Sequence, residues 1–503
     1  MKKNLFVSFA LAATFLATAQ QKNSLLDPSF WKTSPDVATL KAEIAKGNNP
    51  SQSNPMAFDA VVYAINNDAP NETIKFLLEQ PGNTITKPTH DNRIYLHWAA
   101  AKGNLEIVNY LITKGSDINL EDSHGTTPIT SAVSSGQKNT AIYDAFFKAG
   151  IDPKKKYKDG ANLLLMTIPN DKDLTLCNYF ISKGLSLKDT DNYGNTAFNY
   201  AARTGNIELL KTLLQKGIKP TDNALIIASE GSRRDANTLE LYKYLVEDLK
   251  LKPTVISIEG QTVLHNLVRK ANQSEIINYF ISKGVDINKT DNDGNTALMN
   301  AAAGRDSQAL ELLLPKVKDI NIQNAKGESA LSIAIQAGTP KAVELLLNKK
   351  ANTAVLDKDG NNLGYYLIQS YRPQFMGRSP ESSNAITEDP FAAKAKLLQN
   401  NGVNLAQAQK DGSTLYHFAI LKNDITLLKK IADLNIDINA KNKDGLTALH
   451  KAAMIAKNDA VLKYLLSIGA KKDIKTDFDE SAYDLAKENE TLTKNNISVE
   501  ILK

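Results

Sequence analysis

Glycines recur along this chain with a period of about 33 residues, and this period constrains the fold more than the length does. Most successive spacings are 33 to 35 residues; the exceptions are 66, which is two periods, and 52, which is one period plus about 19 residues. A chain of 503 residues would ordinarily form several globular domains, but such a period predicts a stack of short units. The glycines in phase are Gly125, Gly160, Gly194, Gly260, Gly294, Gly327, Gly360, Gly412 and Gly445.

Each period is interpreted as a turn followed by two helices. The pair Asp293-Gly294 favours a turn, because glycine adopts a positive φ without steric cost. Two residues after the glycine, a threonine such as Thr127 or Thr296 is a good helix N-cap, and Pro128 suits the first helical position. A second apolar helix follows and ends at Lys-Gly. Neither helix can bury its apolar face alone, so the units are expected to stack.

The repeated segments carry a family resemblance. Gly-Thr-Thr-Pro-Ile-Thr-Ser-Ala at 125–132, Gly-Leu-Thr-Ala-Leu-His-Lys-Ala at 445–452 and the unit ending Gly-Val-Asp-Ile-Asn at 284–288 resemble the ankyrin repeat. The resemblance extends from about Trp31 to the end of the chain. It implies an all-α ankyrin repeat solenoid of about 12 helix-turn-helix units with β-hairpin-type loops. The expected organisation is a signal peptide at 1–19, a linker and divergent N-terminal capping unit at 20–55, repeats at 56–370, a loop insertion at 371–391, and repeats with a C-terminal cap at 392–503.

The first residues have the pattern of an export signal. Lys2 and Lys3 precede an apolar run from Leu5 that ends in Ala-Thr-Ala at 17–19. This pattern predicts a secretory signal peptide cleaved after Ala19, and therefore a periplasmic or secreted protein. The run is shorter than the ~20 residues that a membrane-spanning helix needs, so we expect no integral membrane segment after cleavage.

Charge and cysteine content exclude several functions. The formal charge is +5, from 60 Lys and Arg against 55 Asp and Glu, so no nucleic-acid partner is implied. The single Cys177 excludes an intrachain disulfide and a multi-thiolate zinc site, and its slot, apolar in other repeats, predicts a buried thiol. No G-x-S-x-G, Walker, HExxH or EF-hand motif occurs. We therefore expect no catalytic residue, no cofactor and no metal site.

Four of the six histidines occupy one slot of the repeat: His97, His265, His417 and His450. In ankyrin repeats, this histidine ties adjacent hairpin and helix backbones together, which implies a structural role here. The alternative, a metal or acid–base cluster, needs side chains that converge on one point. These four lie on different helix layers, which are about 10 Å apart. His90 and His124 lie in predicted hairpin turns, where a surface role is open.

The insertion at 371–391 is the main irregularity. Its prolines and serines predict a loop, and long loops in compact scaffolds are often functional. Apolar and arginine side chains there would suit an interface. The alternative is an insertion that the fold merely tolerates. The residues considered for an interface are Tyr371, Phe375, Met376 and Arg378.

The resemblance also implies a function. Ankyrin arrays generally bind proteins through their hairpin tips and the exposed side of the first helix, which form a concave surface. The predicted function is a non-catalytic scaffold that binds another protein in the cell envelope. Alternatives are a small-molecule or carbohydrate binder, or an accessory array of a toxin-like, effector-like or oxidant-defence system. The partner-binding residues carried over from the pattern are His90, Arg93, Lys102, Tyr193, Arg203, Arg269 and Lys270.

Overall fold

The computed structural model describes residues 23–232, 236–305, 307–373 and 389–503. The predicted signal peptide at 1–19 lies outside the described residues, as do Phe375, Met376 and Arg378 of the predicted interface. The chain divides into two compact units, Met1–Tyr200 and Ala201–Lys503.

The described residues form short helices joined by turns, with isolated β-bridges but no β-strand, which confirms the predicted all-α repeat fold. Within the described ranges, two N-terminal helices are followed by thirteen helix pairs in chain order, close to the expected number of about twelve. The first unit contains α1 Pro28–Trp31, α2 Val37–Ala45, α3 Ala60–Asn66, α4 Asn71–Leu78, α5 Tyr95–Lys102, α6 Leu105–Thr113, α7 Pro128–Ser134, α8 Thr140–Lys148, α9 Leu163–Thr167 and α10 Thr175–Ser182. The division between the units falls within α11, Ala197–Ala202. The second unit contains α12 Ile207–Gln215, α13 Ala224–Glu230, α14 Leu239–Lys243, α15 Val263–Leu267, α16 Ser274–Ser282, α17 Ala297–Ala302, α18 Gln308–Leu313, α19 Ala330–Ala337, α20 Pro340–Asn348, α21 Leu363–Ser370, α22 Pro390–Asn400, α23 Leu415–Ala419, α24 Ile425–Ile431, α25 Ala448–Ile455, α26 Ala460–Ser467, α27 Ala482–Glu488 and α28 Glu490–Lys494.

Short polar side chains start many of the helices. The Thr296 hydroxyl accepts a hydrogen bond from the backbone N–H of Met299 at 3.2 Å at the start of α17. Asn206 does the same for Leu209 at 3.1 Å at the start of α12, a second helix of a pair. These caps satisfy backbone donors that a short helix leaves without a partner. They explain why these helices of six and nine residues begin where they do.

Successive hairpin tips are joined by backbone hydrogen bonds. In the first unit, the N–H of Ser123 donates to the carbonyl of Asp91 at 2.8 Å. In the second unit, the N–H of Lys358 donates to the carbonyl of Lys326 at 2.9 Å, about one repeat earlier. The N–H of Lys410 donates to the carbonyl of Gly360 at 3.3 Å, one residue later than the equivalent acceptor Asp359, so these two tips are still bonded but with a shift of one residue. Within each unit, the tips therefore form a regular edge beside the first helices.

Second helices carry a repeated contact between neighbouring pairs. The Tyr179 hydroxyl in α10 donates to a carboxylate oxygen of Asp144 in α8 at 2.8 Å. The Lys183 ammonium contacts the same carboxylate at 2.7 Å and lies 5.1 Å from the centre of the Tyr179 ring. Tyr279 and Glu247 repeat the hydroxyl-to-carboxylate bond in the second unit at 3.2 Å. These contacts tie neighbouring second helices within each unit.

Candidate partner-binding cleft

The four repeat histidines each bond a different turn. In His417, Nδ1 accepts from the backbone N–H of Thr414 at 3.0 Å, and Nε2 donates to the carbonyl oxygen of Leu446 at 2.9 Å. His97, His265 and His450 bond the carbonyls of Thr126, Asn295 and Ile474 in the same way. An imidazole that accepts at one nitrogen and donates at the other is neutral. Burial also lowers the pKa of all four. Their ring nitrogens are therefore occupied by backbone groups of their own and the following repeat.

Cys177 lies in the buried core of the first unit, in α10. Burial raises the pKa of its thiol, and the nearby carboxylate of Asp171 raises it further. Within the described ranges, no group of three or more His, Cys, Asp or Glu side chains is arranged to hold a metal ion. No helix among those residues is long and apolar enough to cross a bilayer.

Aromatic rings and an arginine gather at the hairpin tips and first helices of the first unit. The Phe58 ring stacks on the His90 ring with centroids 4.6 Å apart, and its centroid lies 5.7 Å from that of Trp98. The Arg93 guanidinium carbon lies 5.2 Å from the centre of the Trp98 ring, within the range of a cation–π contact. We call Phe58, His90, Arg93 and Trp98 the aromatic–arginine cluster.

Hydrogen bonds fix the orientation of this cluster. The Trp98 indole N–H donates to the Thr89 hydroxyl at 2.9 Å. Nδ1 of His90 lies 3.0 Å from the carbonyl oxygen of Met56, and Nε of Arg93 donates to Asp122 at 2.8 Å. Held in this way, half-buried Trp98 can contact a partner without losing much side-chain freedom.

A cleft of about 370 Å³ adjoins the cluster in the first unit. Arg93 and Lys102 are its positively charged lining residues, and none of the described residues that line it is Asp or Glu. The Ser131 hydroxyl, on a residue only 8% exposed, has no hydrogen-bond partner. Its polar lining includes Arg93, Lys102, Ser131, Ser134 and Ser135, with Trp98 as the aromatic wall.

The structure brings together three residues of the predicted binding surface. Arg93 and Lys102 line the cleft, and His90 belongs to the adjoining cluster. The Lys102 ammonium pairs with the carboxylate of Asp68 at 2.7 Å, but the Asp68 side chain is 74% exposed. Tyr193, at another tip of the same unit, is 49% exposed.

In the second unit, the predicted binding residues contact neighbouring repeats. Arg203 forms an ion pair with Glu230. The Arg269 guanidinium donates to the side-chain carbonyl of Asn300 at 3.0 Å. The Lys270 ammonium donates to the carbonyl oxygen of Ser232 at 2.8 Å. These contacts give the three side chains a role within the unit, whatever else they bind.

The expectation that Tyr371 lies in an exposed interface loop is wrong. Tyr371 is 7% exposed, and its hydroxyl donates to the carboxylate of Asp424 at 2.8 Å. Phe391, taken as the other end of the loop, is also buried, and the two rings lie 6.1 Å apart in an edge-to-face arrangement. Helix α22 already begins at Pro390. The two flanks of the insertion are therefore packed into the core, because large aromatic rings gain more from burial than from exposure.

Sequence reasoning missed Phe58, Trp98 and Ser131. Trp98 and Ser131 occupy the slot directly after the repeat histidine position, which other repeats fill with Asn266, Asn300 or Lys451. This mixture of polar and aromatic residues, where a core slot would be uniformly apolar, is the signal that the sequence offered. The position of Phe58 depends on a turn before the first clear repeat, where the pattern is weakest.

A family model described as Ankyrin repeats (3 copies) matches the chain over residues 61–156, 141–224, 225–324, 301–373 and 385–476. The chain belongs to the ankyrin repeat family. Members of this family are in general protein–protein interaction modules, and the two-helix units with bonded tips described above are the elements of such a repeat.

Curated relatives match parts of this chain. Palmitoyltransferase AKR1 of Lachancea kluyveri is 33% identical over 134 residues, 25% of this chain and 18% of that protein. The probable 26S proteasome regulatory subunit p28 of Saccharomyces cerevisiae is 26% identical over 149 residues, 29% of this chain and 64% of that protein. The human transient receptor potential cation channel subfamily A member 1 is 22% identical over 418 residues, 79% of this chain and 32% of that protein. The chain spans less than two thirds of the length of each.

Proposed function

We propose that this ankyrin repeat protein is a non-catalytic scaffold that binds a protein partner through the aromatic–arginine cluster and the adjoining cleft of its first unit. The observation that carries the proposal is the environment of Trp98. This half-buried ring contacts both the Phe58 ring and the Arg93 guanidinium, and it lines a cleft. Tryptophan and arginine are enriched among residues that dominate binding energy, and rigid aromatic side chains lose little entropy when they bind.

The non-catalytic part of the proposal is supported by the bonding of the titratable side chains. The repeat histidines donate to and accept from backbone groups, which removes them as general acids or bases. Burial raises the pKa of the Cys177 thiol, whereas a nucleophilic cysteine needs a lowered one. The palmitoyltransferase relative shares only 18% of its length with this chain, so its activity is not carried over.

The proposed location is the cell envelope or the extracellular space. Support comes from the basic, apolar and small-residue pattern of residues 1–19. N-terminal sequencing of the protein purified from its source tests this part separately. A mature N-terminus at Gln20 is expected, and an intact N-terminus on protein recovered from the cytoplasm would contradict it.

Site-specific photo-crosslinking tests the binding surface. Trp98 is replaced by photoreactive benzoylphenylalanine in the full chain, and Tyr110, on the second helix of the same repeat, is replaced in a matched control. We expect a discrete crosslinked protein from position 98, and its loss when Arg93 is also changed to Ala. Equal crosslinking from both positions, or none from position 98, would contradict a partner at the cluster.

A second candidate function is small-molecule binding. The cleft volume of about 370 Å³ lies within the range of small-ligand pockets, which supports this alternative. It predicts a thermal shift with a member of a metabolite or carbohydrate library, and loss of that shift in Trp98→Ala. Tyr371 is not a useful probe for this test because it is buried.

A further inference from the structure

We infer that the cleft of the first unit is a receptor for a carboxylate side chain on an extended acidic segment of the partner. This inference rests on the proposed function and deepens it by naming the chemistry of the partner. It depends on three features of the cleft: an excess of hydrogen-bond donors, an arginine held ready for an anion, and a buried hydroxyl without a partner.

The unpartnered hydroxyl is the feature that the fold itself does not explain. The Ser131 residue is more than nine-tenths buried, lines the cleft, and has no hydrogen-bond partner for its Oγ. A buried polar group without a partner destabilises the fold. Asn300, in the same slot of the second unit, accepts from Arg269 and donates to the carbonyl of His265. Ser131 is too short for such bonds, and an acceptor that enters the cleft would satisfy its hydroxyl.

Arg93 supplies the strongest donors. The Trp98 ring and the Asp122 carboxylate hold its guanidinium from two sides. Nε of Arg93 is bonded to Asp122 at 2.8 Å, and Nη2 lies 3.9 Å from a carboxylate oxygen of Asp91. The remaining N–H groups form the planar fork that matches a carboxylate. An arginine fixed in this way loses little side-chain entropy when it binds an anion.

Lys102 supplies a second positive charge at low cost. Its pair with Asp68 lies at the surface, where ion pairs contribute little to stability. The exposed Asp68 can turn into water when another anion approaches the Lys102 ammonium. The cleft therefore exchanges a weak ion pair for a bond to the incoming ligand.

The surrounding charges favour a monoanion over a dianion. The Asp91 and Asp122 carboxylates lie near Arg93 and repel any anion in the cleft. A phosphate group carries nearly twice the charge of a carboxylate and is repelled correspondingly more. The adjacent Trp98 and Phe58 rings provide apolar contact for residues flanking the carboxylate. A polypeptide segment can contact both the cleft and these two rings, whereas a free carboxylate can contact only the cleft.

Tryptophan fluorescence can report binding directly. The chain has two tryptophans, and Trp31 is fully buried in the N-terminal segment with its indole N–H bonded to Leu25. A ligand in the cleft should therefore change the emission of Trp98. The probe is the peptide acetyl-Gly-Glu-Glu-Phe-Gly-amide, compared at constant ionic strength with the Gln-Gln peptide and with sodium glutamate. Trp98→Phe is the signal control.

We expect a saturable change with the Glu peptide, at least tenfold weaker binding of the Gln peptide, and weaker binding of free glutamate. Ser131→Ala should weaken binding of the Glu peptide about threefold to tenfold without lowering the melting temperature, because the hydroxyl has no partner to lose. Lys102→Gln should weaken binding of the Glu peptide to a similar extent. Lys114→Gln makes the same charge change at the C-terminal end of α6 and should leave binding unchanged.

Equal binding of the Glu and Gln peptides would overturn the assignment of a carboxylate ligand. If free glutamate bound as tightly as the Glu peptide, the assignment of a polypeptide ligand would be overturned. Absence of binding by every probe would also overturn the inference. The photo-crosslink from position 98 is read independently. If that crosslink forms while the acidic peptide fails, the proposed function stands and only the chemistry of the partner is wrong.

Discussion

Nε2 of His417 lies 2.9 Å from the carbonyl oxygen of Leu446, which belongs to the next repeat. The opposite ring nitrogen accepts from the N–H of Thr414. One imidazole thus connects the backbones of two successive repeats through hydrogen bonds. The bond requires the neutral ring, because a protonated imidazole has no acceptor for the Thr414 N–H.

The first prediction is a loss of stability in mild acid. The folded-state pKa of the four repeat histidines is lowered by burial, so the unfolded chain takes up protons first, near pH 6.5. Stability is therefore present above about pH 6.5 and falls as the pH drops below it, by at most ~1.4 kcal/mol per pH unit for each histidine. Urea titrations at pH 7.5, 6.5 and 5.5 measure this.

The control replaces histidine by the residue that another repeat of this chain has in the same slot. Ser332 occupies the histidine slot of another repeat and forms a reciprocal cap with Ser329. In the double variant His417→Ser, His450→Ser, the acid-induced loss of stability should be smaller. Carboxylates titrate mainly below this pH window. A pH dependence identical to that of the unchanged chain would show that these histidines are not its source.

The repeat register was predictable because it depends on local backbone chemistry. Tip glycines such as Gly294 adopt positive φ as the Asp-Gly pairs indicate, and first helices begin at the predicted threonines. The core positions of Tyr371 and Phe391 were not predictable, because they depend on contacts formed across the insertion.

The π-helical turn Tyr244–Asp248 was also missed. It lies in a second helix whose closing bond joins Leu251 to Leu245, one residue longer than the equivalent bond from Val285 to Phe280.

The candidate site was half predictable. His90, Arg93 and Lys102 follow from their slots in the repeat. Trp98 and Ser131 could have been found from the variable slot after the histidine. That the Ser131 hydroxyl lacks a hydrogen-bond partner could not have been predicted, because this depends on the lengths of neighbouring side chains.

The second prediction compares two glycines of the second unit. Gly327 has φ +81°, and a Cβ there would lie 2.7 Å from the backbone nitrogen of Lys358. Gly284 has φ +86°, with no neighbouring atom within 4 Å of such a Cβ. Both Ala variants incur a strained φ, about 1–3 kcal/mol. Gly327→Ala should lose at least ~1 kcal/mol more in urea titrations, because it also displaces the bond from Lys358 to Lys326. Equal losses would contradict the close tip packing.

The third prediction concerns Tyr371. Tyr371→Phe should cost about 1–3 kcal/mol in urea titrations, because the hydroxyl bonds a carboxylate that also caps helix α24. Burial raises the pKa of Tyr371 to about 12, with the bond to Asp424 acting in the same direction. The photo-crosslink at position 98 should be unaffected. A double-mutant cycle with Asp424→Asn isolates the pair. Unchanged stability with a lost crosslink would return Tyr371 to the binding surface.

The fourth prediction concerns Cys177. Its thiol is buried and its pKa is raised, so little reactive thiolate exists at neutral pH. The folded protein should leave a colorimetric disulfide reagent unreacted at pH 8 over minutes, and react with one equivalent after unfolding in urea. Free cysteine under the same conditions sets the reference rate. Stoichiometric labelling of the folded chain at that rate would contradict a core thiol.

The fifth prediction concerns Lys394, a buried lysine whose hydrogen-bond acceptor is a neutral carbonyl oxygen. Lys394 is 4% exposed, and its ammonium donates to the carbonyl oxygen of Ile335 at 2.8 Å. Burial lowers its pKa from 10.5 to about 8, with the charge of Arg372 acting in the same direction. At pH 7 the folded state therefore carries a buried charge that the unfolded state keeps in water. Lys394→Met should stabilise the second unit by roughly 1–3 kcal/mol in urea titrations at pH 7.

The same shift determines the pH dependence of Lys394. Between about pH 8 and 10.5, the unfolded chain holds a proton at this lysine that the folded chain has lost, so stability should rise with pH in this window. The rise should be smaller in Lys394→Met. Lys396→Met, two residues along the same helix and exposed, should leave both the stability at pH 7 and the alkaline rise nearly unchanged. If Lys394→Met destabilised the unit at pH 7, the bond to Ile335 would outweigh the cost of burying the charge, and the lysine would be a structural anchor.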